Sequence, residues 1–340
     1  MPATSRELVY QTLNFEDPAR IPLELWYLPI AQIKYPGKVE ALFAEYDNFD
    51  TTGVAPYCSE PDYARGDPYA IGSFRDSWGC IFENIQAGVI GEVKDPLVRD
   101  WEADRAKVHF PTEWLTIDPD AINRDCAKTD KFVKAGCCPR PFEQLQFIRG
   151  TVQLYMDLMD EDKNMKSFLD EMASFYYRCM ELWAKTDVDC LLFMDDWGSQ
   201  KSLLISPELW RAYFKPIYKN FIDIAHAAGK KIFMHSDGCI LEIYPDLVEL
   251  GLDMLNSQIF CMGLENLEPF AGKITFCGEI DRQHLLRTGT PEDIDKAVKE
   301  VYRRLYKKGG VIGQCEFGDS APENVFQVYR SWRNIKNTEA

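Results

Sequence analysis

Short apolar runs alternate with amphipathic segments along the second half of the chain. From about Asp187 onward, each run ends in polar residues and is followed by a segment whose apolar positions have helical spacing. The runs are DVDCLLFM, KKIFMH, LDMLNS, KITFCG and GVIGQC, and they end near Asp195, His235, Ser257, Gly278 and Cys315. Nearly continuous apolar strands of this length are typical of a parallel sheet covered on both faces. The pattern therefore predicts successive strand and helix units.

The first half of the chain supplies the remaining strands of the same pattern. IPLELWY from Ile21, TTGVAP from Thr51 and KFVKAG from Lys131 are predicted to be strands one to three, which gives eight in total. Helix starts are marked by Ser206, Thr290 and Ser320, because each precedes a proline and an acid. We therefore expect an α/β fold, a (β/α)₈ TIM barrel that forms one domain over residues 1–340.

One stretch does not follow this alternation. Between Pro56 and about Pro111, SWGCIFENIQAGVIGEVKDP indicates short aromatic β-segments joined by glycine turns. We interpret residues 57–111 as a β-rich insertion after strand two. Because barrel loops at the carboxyl ends of the strands build the active site, we expect this insertion to cover the mouth of the barrel.

Composition narrows the classes of function. The formal net charge of −16 argues against nucleic-acid and membrane partners, which carry phosphate charge, and leaves small neutral substrates or a basic protein. The chain shows neither a signal-peptide pattern nor an apolar run long enough to cross a bilayer, which predicts a cytoplasmic protein. Its eleven cysteines are then reduced thiols that can bind metal. A homodimer is compatible with the sequence.

Polar side chains that can bind metal are concentrated at the predicted strand ends. His235 ends strand five and Cys315 ends strand eight, and the strands of one barrel open into the same mouth. An imidazole, a thiolate and nearby carboxylates suit Zn²⁺, which in catalytic sites takes three protein ligands and leaves one position open. Strand-end acids can also simply cap the following helices, and this alternative applies to Asp237 and Asp281.

The segments FMDDWGSQ, FMHSDGCILEIYPDLVELGLDMLNSQ, KITFCGEIDRQHLL and GGVIGQCEFG resemble the uroporphyrinogen decarboxylase superfamily. They are more similar to its cobalamin-dependent methyltransferases, which include coenzyme M methyltransferases and O-demethylases, than to the true decarboxylases. In the coenzyme M enzymes a His-x-Cys pair after strand five and a distant Cys after strand eight bind zinc. The resemblance places these ligands on His235 and Cys315, but Asp237 stands where the middle Cys is expected.

The third zinc ligand therefore stays open among Asp237, Glu279, Cys261 and Cys239. Asp195, Asp196 and Glu316 are expected to orient the substrate or the metal ligands. The residues expected to line a pocket for a flat apolar substrate are Trp26, Tyr27, Trp197, Gln258 and Phe260.

The resemblance implies a zinc-dependent methyltransferase. It would move a methyl group from a small methylated substrate, such as a methoxylated aromatic, to the Co(I) of cobalamin. We find no corrinoid-binding motif in the sequence, so cobalamin is expected on a separate corrinoid protein.

Three alternatives remain open. They are transfer from a methyl-corrinoid to a thiol or folate, a uroporphyrinogen decarboxylase-like activity, and a non-catalytic barrel that binds a small ligand. Decarboxylation is disfavoured because RIPLELWYLPI carries one arginine where a substrate with many carboxylates needs several. Thiol methylation is disfavoured by Asp237, because a harder site suits an ether oxygen better.

Overall fold

Eight parallel strands form one sheet that curls into a nearly closed barrel. The computed structural model describes residues 2–47 and 49–335. The barrel strands are β1 (Leu23–Tyr27), β2 (Thr51–Gly53), β6 (Phe132–Lys134), β7 (Cys190–Met194), β8 (Lys231–Ser236), β9 (Met254–Ser257), β10 (Thr275–Gly278) and β11 (Val311–Phe317). Their order is β1-β11-β10-β9-β8-β7-β6-β2. All eight predicted strands are present, which confirms the TIM-barrel fold class.

The second sheet has three short antiparallel strands, β3 (Gly72–Arg75), β4 (Ile81–Asn84) and β5 (Glu92–Val93). They lie between β2 and β6 in the chain, within the stretch where the sequence predicts a β-rich insertion. Trp78, in the turn between β3 and β4, is buried against Phe110, Phe175 and Tyr176. These contacts anchor the small sheet to the helical layer of the barrel.

Helices surround the barrel and connect its strands. They are α1 (Ser5–Leu13), α2 (Pro29–Lys34), α3 (Lys38–Glu45), α4 (Trp101–Asp104), α5 (Pro119–Cys126), α6 (Pro141–Arg149), α7 (Thr151–Met159), α8 (Lys163–Ala184), α9 (Pro207–Tyr213), α10 (Lys215–Ala227), α11 (Tyr244–Leu250), α12 (Ile259–Met262), α13 (Leu264–Leu267), α14 (Leu285–Thr288), α15 (Pro291–Leu305) and α16 (Pro322–Asn334). Ser206 and Thr290 cap α9 and α15 as predicted, whereas α16 begins after Ala321 rather than at a hydroxyl cap. Among the described helices, none combines the length and apolarity needed to cross a bilayer.

The barrel interior changes from apolar to polar along its axis. At the amino end, Val9 and Leu13 of α1 pack against inward-facing residues that include Phe132, Phe233 and Ile312. Above this plug the buried carboxylate of Glu24 pairs with the ammonium group of Lys134 at 2.5 Å. The polar side chains of the candidate site lie beyond this pair, at the carboxyl ends of the strands.

The two edges of the sheet, β1 and β2, are joined at their amino ends. The Asp50 amide donates to the Leu23 carbonyl at 3.0 Å, and the Leu23 amide donates to the Asp50 carboxylate at 2.8 Å. Arg20 holds the same carboxylate through two hydrogen bonds of 2.5 and 2.6 Å. Asp50 therefore joins the two edges of the barrel at this end.

Candidate active site at the carboxyl ends of the strands

His235 is the last inward-facing residue of β8, and its ring has a defined orientation. The Asn256 side-chain amide donates to the Cys277 carbonyl at 2.7 Å, so its oxygen faces the imidazole. That oxygen lies 2.5 Å from Nδ1 of His235, which must therefore carry the hydrogen. Nε2 is left with its lone pair toward the mouth, the arrangement of a metal-binding histidine.

Two carboxylates share the space in front of Nε2. The Oδ1 atoms of Asp196 and Asp237 lie 3.5 and 3.7 Å from it, too far for good hydrogen bonds. The ligand atoms of Asp196, His235 and Asp237, which we name the Asp-His-Asp group, all lie within 4.8 Å of one another. Zinc bonds of about 2.0–2.2 Å separate the ligand atoms of a tetrahedral site by about 3.3–3.6 Å. The three atoms therefore fit one zinc ion with little movement.

The two aspartates are positioned by further contacts. The Asp237 amide donates to the Asp196 carboxylate at 2.8 Å, which ties the loops after β7 and β8 together. Oδ2 of Asp237 accepts from Arg282, whereas Oδ1 is buried and has no hydrogen-bond partner among the described residues. The buried Oδ1 is thus the oxygen that remains for a cation.

Arg282 gathers three carboxylates from different loops. Besides Asp237, its guanidinium binds Glu316 at 2.8 Å and lies 3.6 Å from Glu279. Burial raises the pKa of Glu279 to about 7 even though Arg282 opposes the rise. For His235, burial lowers the pKa, but the charges of Asp237, Asp196 and Glu279 outweigh it and the net shift is upward. The mouth therefore concentrates negative charge around one imidazole.

A cavity of about 470 Å³ lies beside this group, between the insertion and the segment that follows β6. Its walls, which define what we name the insertion cavity, include the aromatic residues Phe74, Trp78, Phe82, Trp114, Phe147 and Trp183. Glu143 of α6 lines it with one buried carboxylate oxygen that has no partner among the described residues. Burial, and then the charge of Asp196, raise the pKa of Glu143 to about 7.

The family model for uroporphyrinogen decarboxylase (URO-D) matches residues 102–329, which is most of the chain. The chain belongs to the URO-D family. The match contains six of the eight barrel strands, β6 to β11, because β1 and β2 precede it. All residues of the Asp-His-Asp group lie inside the matched range.

Solved structures with similar folds include a methyltransferase from Methanosarcina mazei. It is 15% identical, with a TM-score of 0.69, and the similarity covers 98% of this chain and 99% of that one. A B12-independent methionine synthase from Shewanella sp. W3-18-1 is 12% identical, with a TM-score of 0.42, over 64% of this chain and 67% of that one. No curated protein matches the sequence significantly. At 15% identity the similarity to the Methanosarcina mazei methyltransferase shows a shared fold.

The structure brings several predicted site residues together. His235, Asp196 and Asp237 form one group, and Glu279 and Glu316 adjoin it through Arg282. Trp26 packs against the imidazole of His235, with ring centroids 5.1 Å apart. Gln258 and Phe260 line a small cleft together with Glu279, Arg282 and Cys261.

Other predicted residues lie in the layer between barrel and helices. Ile312 and Glu316 of β11 face inward, so Cys315 between them packs in the outer layer near Tyr329 of α16. Asp195 likewise faces outward, and Trp197 is buried against Phe142. Tyr27 is exposed beside Phe43. The structure therefore does not place Cys315 in the Asp-His-Asp group.

The sequence analysis did not single out Asn256, Arg282, Arg140 or Glu143. Asn256 could have been noticed, because its side-chain amide lies near the end of the predicted strand run LDMLNS. Arg282 and Glu143 lie in ordinary polar surroundings in the sequence. Only the fold shows that they point into the mouth.

Proposed function

We propose that this URO-D-family protein is a zinc-dependent methyltransferase. It moves a methyl group from a methoxylated aromatic to the Co(I) of a separate corrinoid protein. One observation carries the proposal, namely the lone pair of His235 and two carboxylate oxygens held at the spacing of a tetrahedral metal site.

Zinc would be held by Nε2 of His235 and by Oδ1 of Asp196 and of Asp237. When bound it would act as a Lewis acid on an ether oxygen. In this ligand set Asp196 takes the position that the sequence analysis gave to Cys315. With oxygen ligands in place of sulfur, the site is hard and suits an oxygen-bearing substrate better than a thiolate.

The chain's own residues supply binding and a proton. The aromatic walls of the insertion cavity would hold the ring, and we infer that the insertion shields this end of the mouth from water. Cleavage breaks the bond between the methyl carbon and the ether oxygen, and the bonding pair stays on the oxygen. Glu143 is placed to give that oxygen a proton, because its carboxyl group is buried and has a pKa of about 7.

Decarboxylation of a porphyrinogen is the activity that the family name suggests, but the charges here support it poorly. Arg20, the arginine at the start of the first strand segment, is bound to Asp50 at the amino end of the barrel. It therefore lies at the end opposite the Asp-His-Asp group. The negative charge of the mouth would also repel a substrate that carries many carboxylates.

Metal content of purified variants tests the ligand set. We expect about one zinc per wild-type chain, and loss of most of it in His235→Ala, Asp196→Asn and Asp237→Asn, because each removes one of three protein ligands. Cys315→Ser is the matched control and should keep its zinc. Loss of zinc in Cys315→Ser, with retention in Asp196→Asn, would show that the ligand set is wrong.

The direction of transfer is tested by mixing zinc-loaded protein with methoxyarenes and a reduced corrinoid protein. We expect a phenol and methyl-cobalt in equal amounts, with no dependence on added thiol. Rapid methylation of a thiol from methyl-cobalamin, with no methoxyarene cleaved, would favour the reverse half-reaction instead.

A further inference from the structure

The insertion cavity contains an arginine, Arg140, that forms no ion pair of 4.0 Å or less among the described residues. Arg140 lines the cavity directly before α6. Its guanidinium forms no ion pair within 4.0 Å with any residue in 2–47 or 49–335, and its side-chain hydrogen-bond partner there is the Cys138 thiol. A partly buried guanidinium offers five donors in a planar fork, and leaving them without an acceptor is costly.

Of the acids that line the cavity, Glu60 and Asp76 are hydrogen-bonded within the insertion, and Glu143 interacts with Arg140 through its charge but forms no ion pair of 4.0 Å or less with it. Glu60 accepts from the Ser77 hydroxyl and, at 3.4 Å, from the indole of Trp114. Asp76 accepts from the Trp78 and Cys80 amides and from Gln144. These two carboxylates hold the insertion together and do not reach Arg140.

Neighbouring thiols do not supply the missing anion either. Burial raises the pKa of Cys138 to about 12, despite the charge of Arg140, and also raises the pKa of Cys137. Both thiols therefore stay protonated near neutral pH. The remaining walls are the aromatic residues that define the cavity.

The start of α6, which carries Glu143 and follows Arg140, is fixed by hydrogen bonds. The Asp195 carboxylate accepts from the Phe142 and Glu143 amides at 2.9 and 2.8 Å, which fixes the first turn of α6. Arg140 directly precedes α6 and Glu143 lies in its first turn, and both side chains line the cavity. One end of the cavity thus carries the guanidinium of Arg140. Glu143 lines the cavity on the side of the Asp-His-Asp group.

We propose that the insertion cavity binds a planar aromatic carboxylate, with the carboxylate on the Arg140 guanidinium and the ring between the aromatic walls. A guanidinium fork matches a carboxylate through two parallel hydrogen bonds, and a cavity of about 470 Å³ is large enough for a substituted benzene ring. This inference rests on the proposed function in taking that ligand to be the methylated substrate.

Binding can be measured by quenching of tryptophan fluorescence, without any corrinoid protein. The probes are 4-methoxybenzoate and its neutral analogue 4-methoxybenzamide. We expect the wild type to bind the carboxylate about 10- to 100-fold more tightly, as for hydrogen bonds to a charged group. Arg140→Gln should bind both probes with similar, weak affinity. Arg99→Gln, which changes a surface arginine paired with Asp95, should behave as wild type.

Two outcomes would overturn the inference: a wild type without preference for the carboxylate, or a preference that persists in Arg140→Gln. If Arg140→Gln does not fold, as judged by near-UV circular dichroism, Arg140→Lys serves instead. It keeps the charge but loses the fork, so the preference should shrink and not vanish.

The proposed function fails separately from this site. Carboxylate preference that depends on Arg140, without any demethylation, supports the site and counts against the methyltransferase. If the wild type demethylates neutral methoxyarenes but shows no carboxylate preference, the result supports the methyltransferase and counts against the carboxylate site.

Discussion

The amide of Asn256 decides which nitrogen of His235 faces the mouth. Because Asn256 accepts the Nδ1 hydrogen, Asn256→Ala should leave the imidazole free to rotate or change tautomer. We expect zinc affinity to fall by about 10- to 100-fold, the usual effect of losing a group that orients a ligand. Competition with a chromophoric chelator measures this. Asn266→Ala, which removes an unrelated asparagine bonded to the Met262 carbonyl, is the control, and equal losses in both variants would contradict the assignment.

Glu143 should make the stability of the metal-free protein depend on pH. Burial, followed by the charge of Asp196, raises its pKa from 4.5 to about 7, so between these values the folded state binds more protons than the unfolded state. The free energy of unfolding therefore falls as the pH rises through this window, and the penalty is complete above pH 7. Glu143→Gln removes the charge and should be more stable than wild type at pH 8, by roughly 2–3 kcal/mol.

Urea unfolding of chelator-treated protein at pH 4.5 and pH 8 measures the effect. The gain should nearly disappear at the lower pH, where the carboxyl is protonated in the folded state and about half protonated in the unfolded state. Glu181→Gln, on the exposed side of α8, should show no such difference. A gain of the same size at both pH values would mean that Glu143→Gln acts through packing and not through charge.

At the scale of elements, the ends of β7 and β11 show how alternation sorts neighbouring residues. Asp195 and Asp196 follow each other after β7, but the first caps α6 and the second faces Nε2 of His235. Cys315 and Glu316 divide in the same way on β11. Successive side chains of a strand point to opposite faces. Of two adjacent residues, one therefore faces the candidate site and the other is buried in the layer between barrel and helices.

This alternation explains where prediction from sequence succeeded and stopped. All eight strands could be predicted from the sequence. A strand that is covered on both faces is apolar along most of its length, so it can be recognised without knowing which of its faces points inward. Because both faces of such a strand are apolar, the sequence does not show which face points inward. It therefore offered no basis for choosing Asp196 over Asp195 as the residue that faces the site. The register that pairs Met194 with His235 supplies that information.

The cap on α6 predicts opposite behaviour for two adjacent aspartates. Asp195→Ala would leave two buried amides and the Tyr218 hydroxyl without their acceptor, which should cost about 2–4 kcal/mol of stability. Its zinc content should nevertheless stay close to wild type. Asp196→Ala should lose zinc with little loss of stability in the chelated protein. Urea unfolding and metal analysis of both variants check this, and an Asp195→Ala protein that is fully stable would contradict the capping role.

At the scale of the whole molecule, the mouth is assembled from parts that are far apart in the chain. Loops after β7, β8 and β10 and the end of β11 supply the metal-binding and charged groups, while the insertion and α6 supply the cavity. Each part is placed by its own contacts with the barrel. Sequence spacing could therefore indicate a mouth rich in polar residues but not its division into a metal site and an aromatic cavity.

Arg282 has a consequence for how the protein would acquire its metal. Small zinc domains are unfolded without their ion, because nothing else holds their ligands together. Here the guanidinium of Arg282 already holds Asp237, Glu279 and Glu316 together. The hydrophobic core of the barrel is packed without any ion. If the proposed metal binds, we therefore expect the chain to fold without it and to bind it afterwards at a site that is already formed.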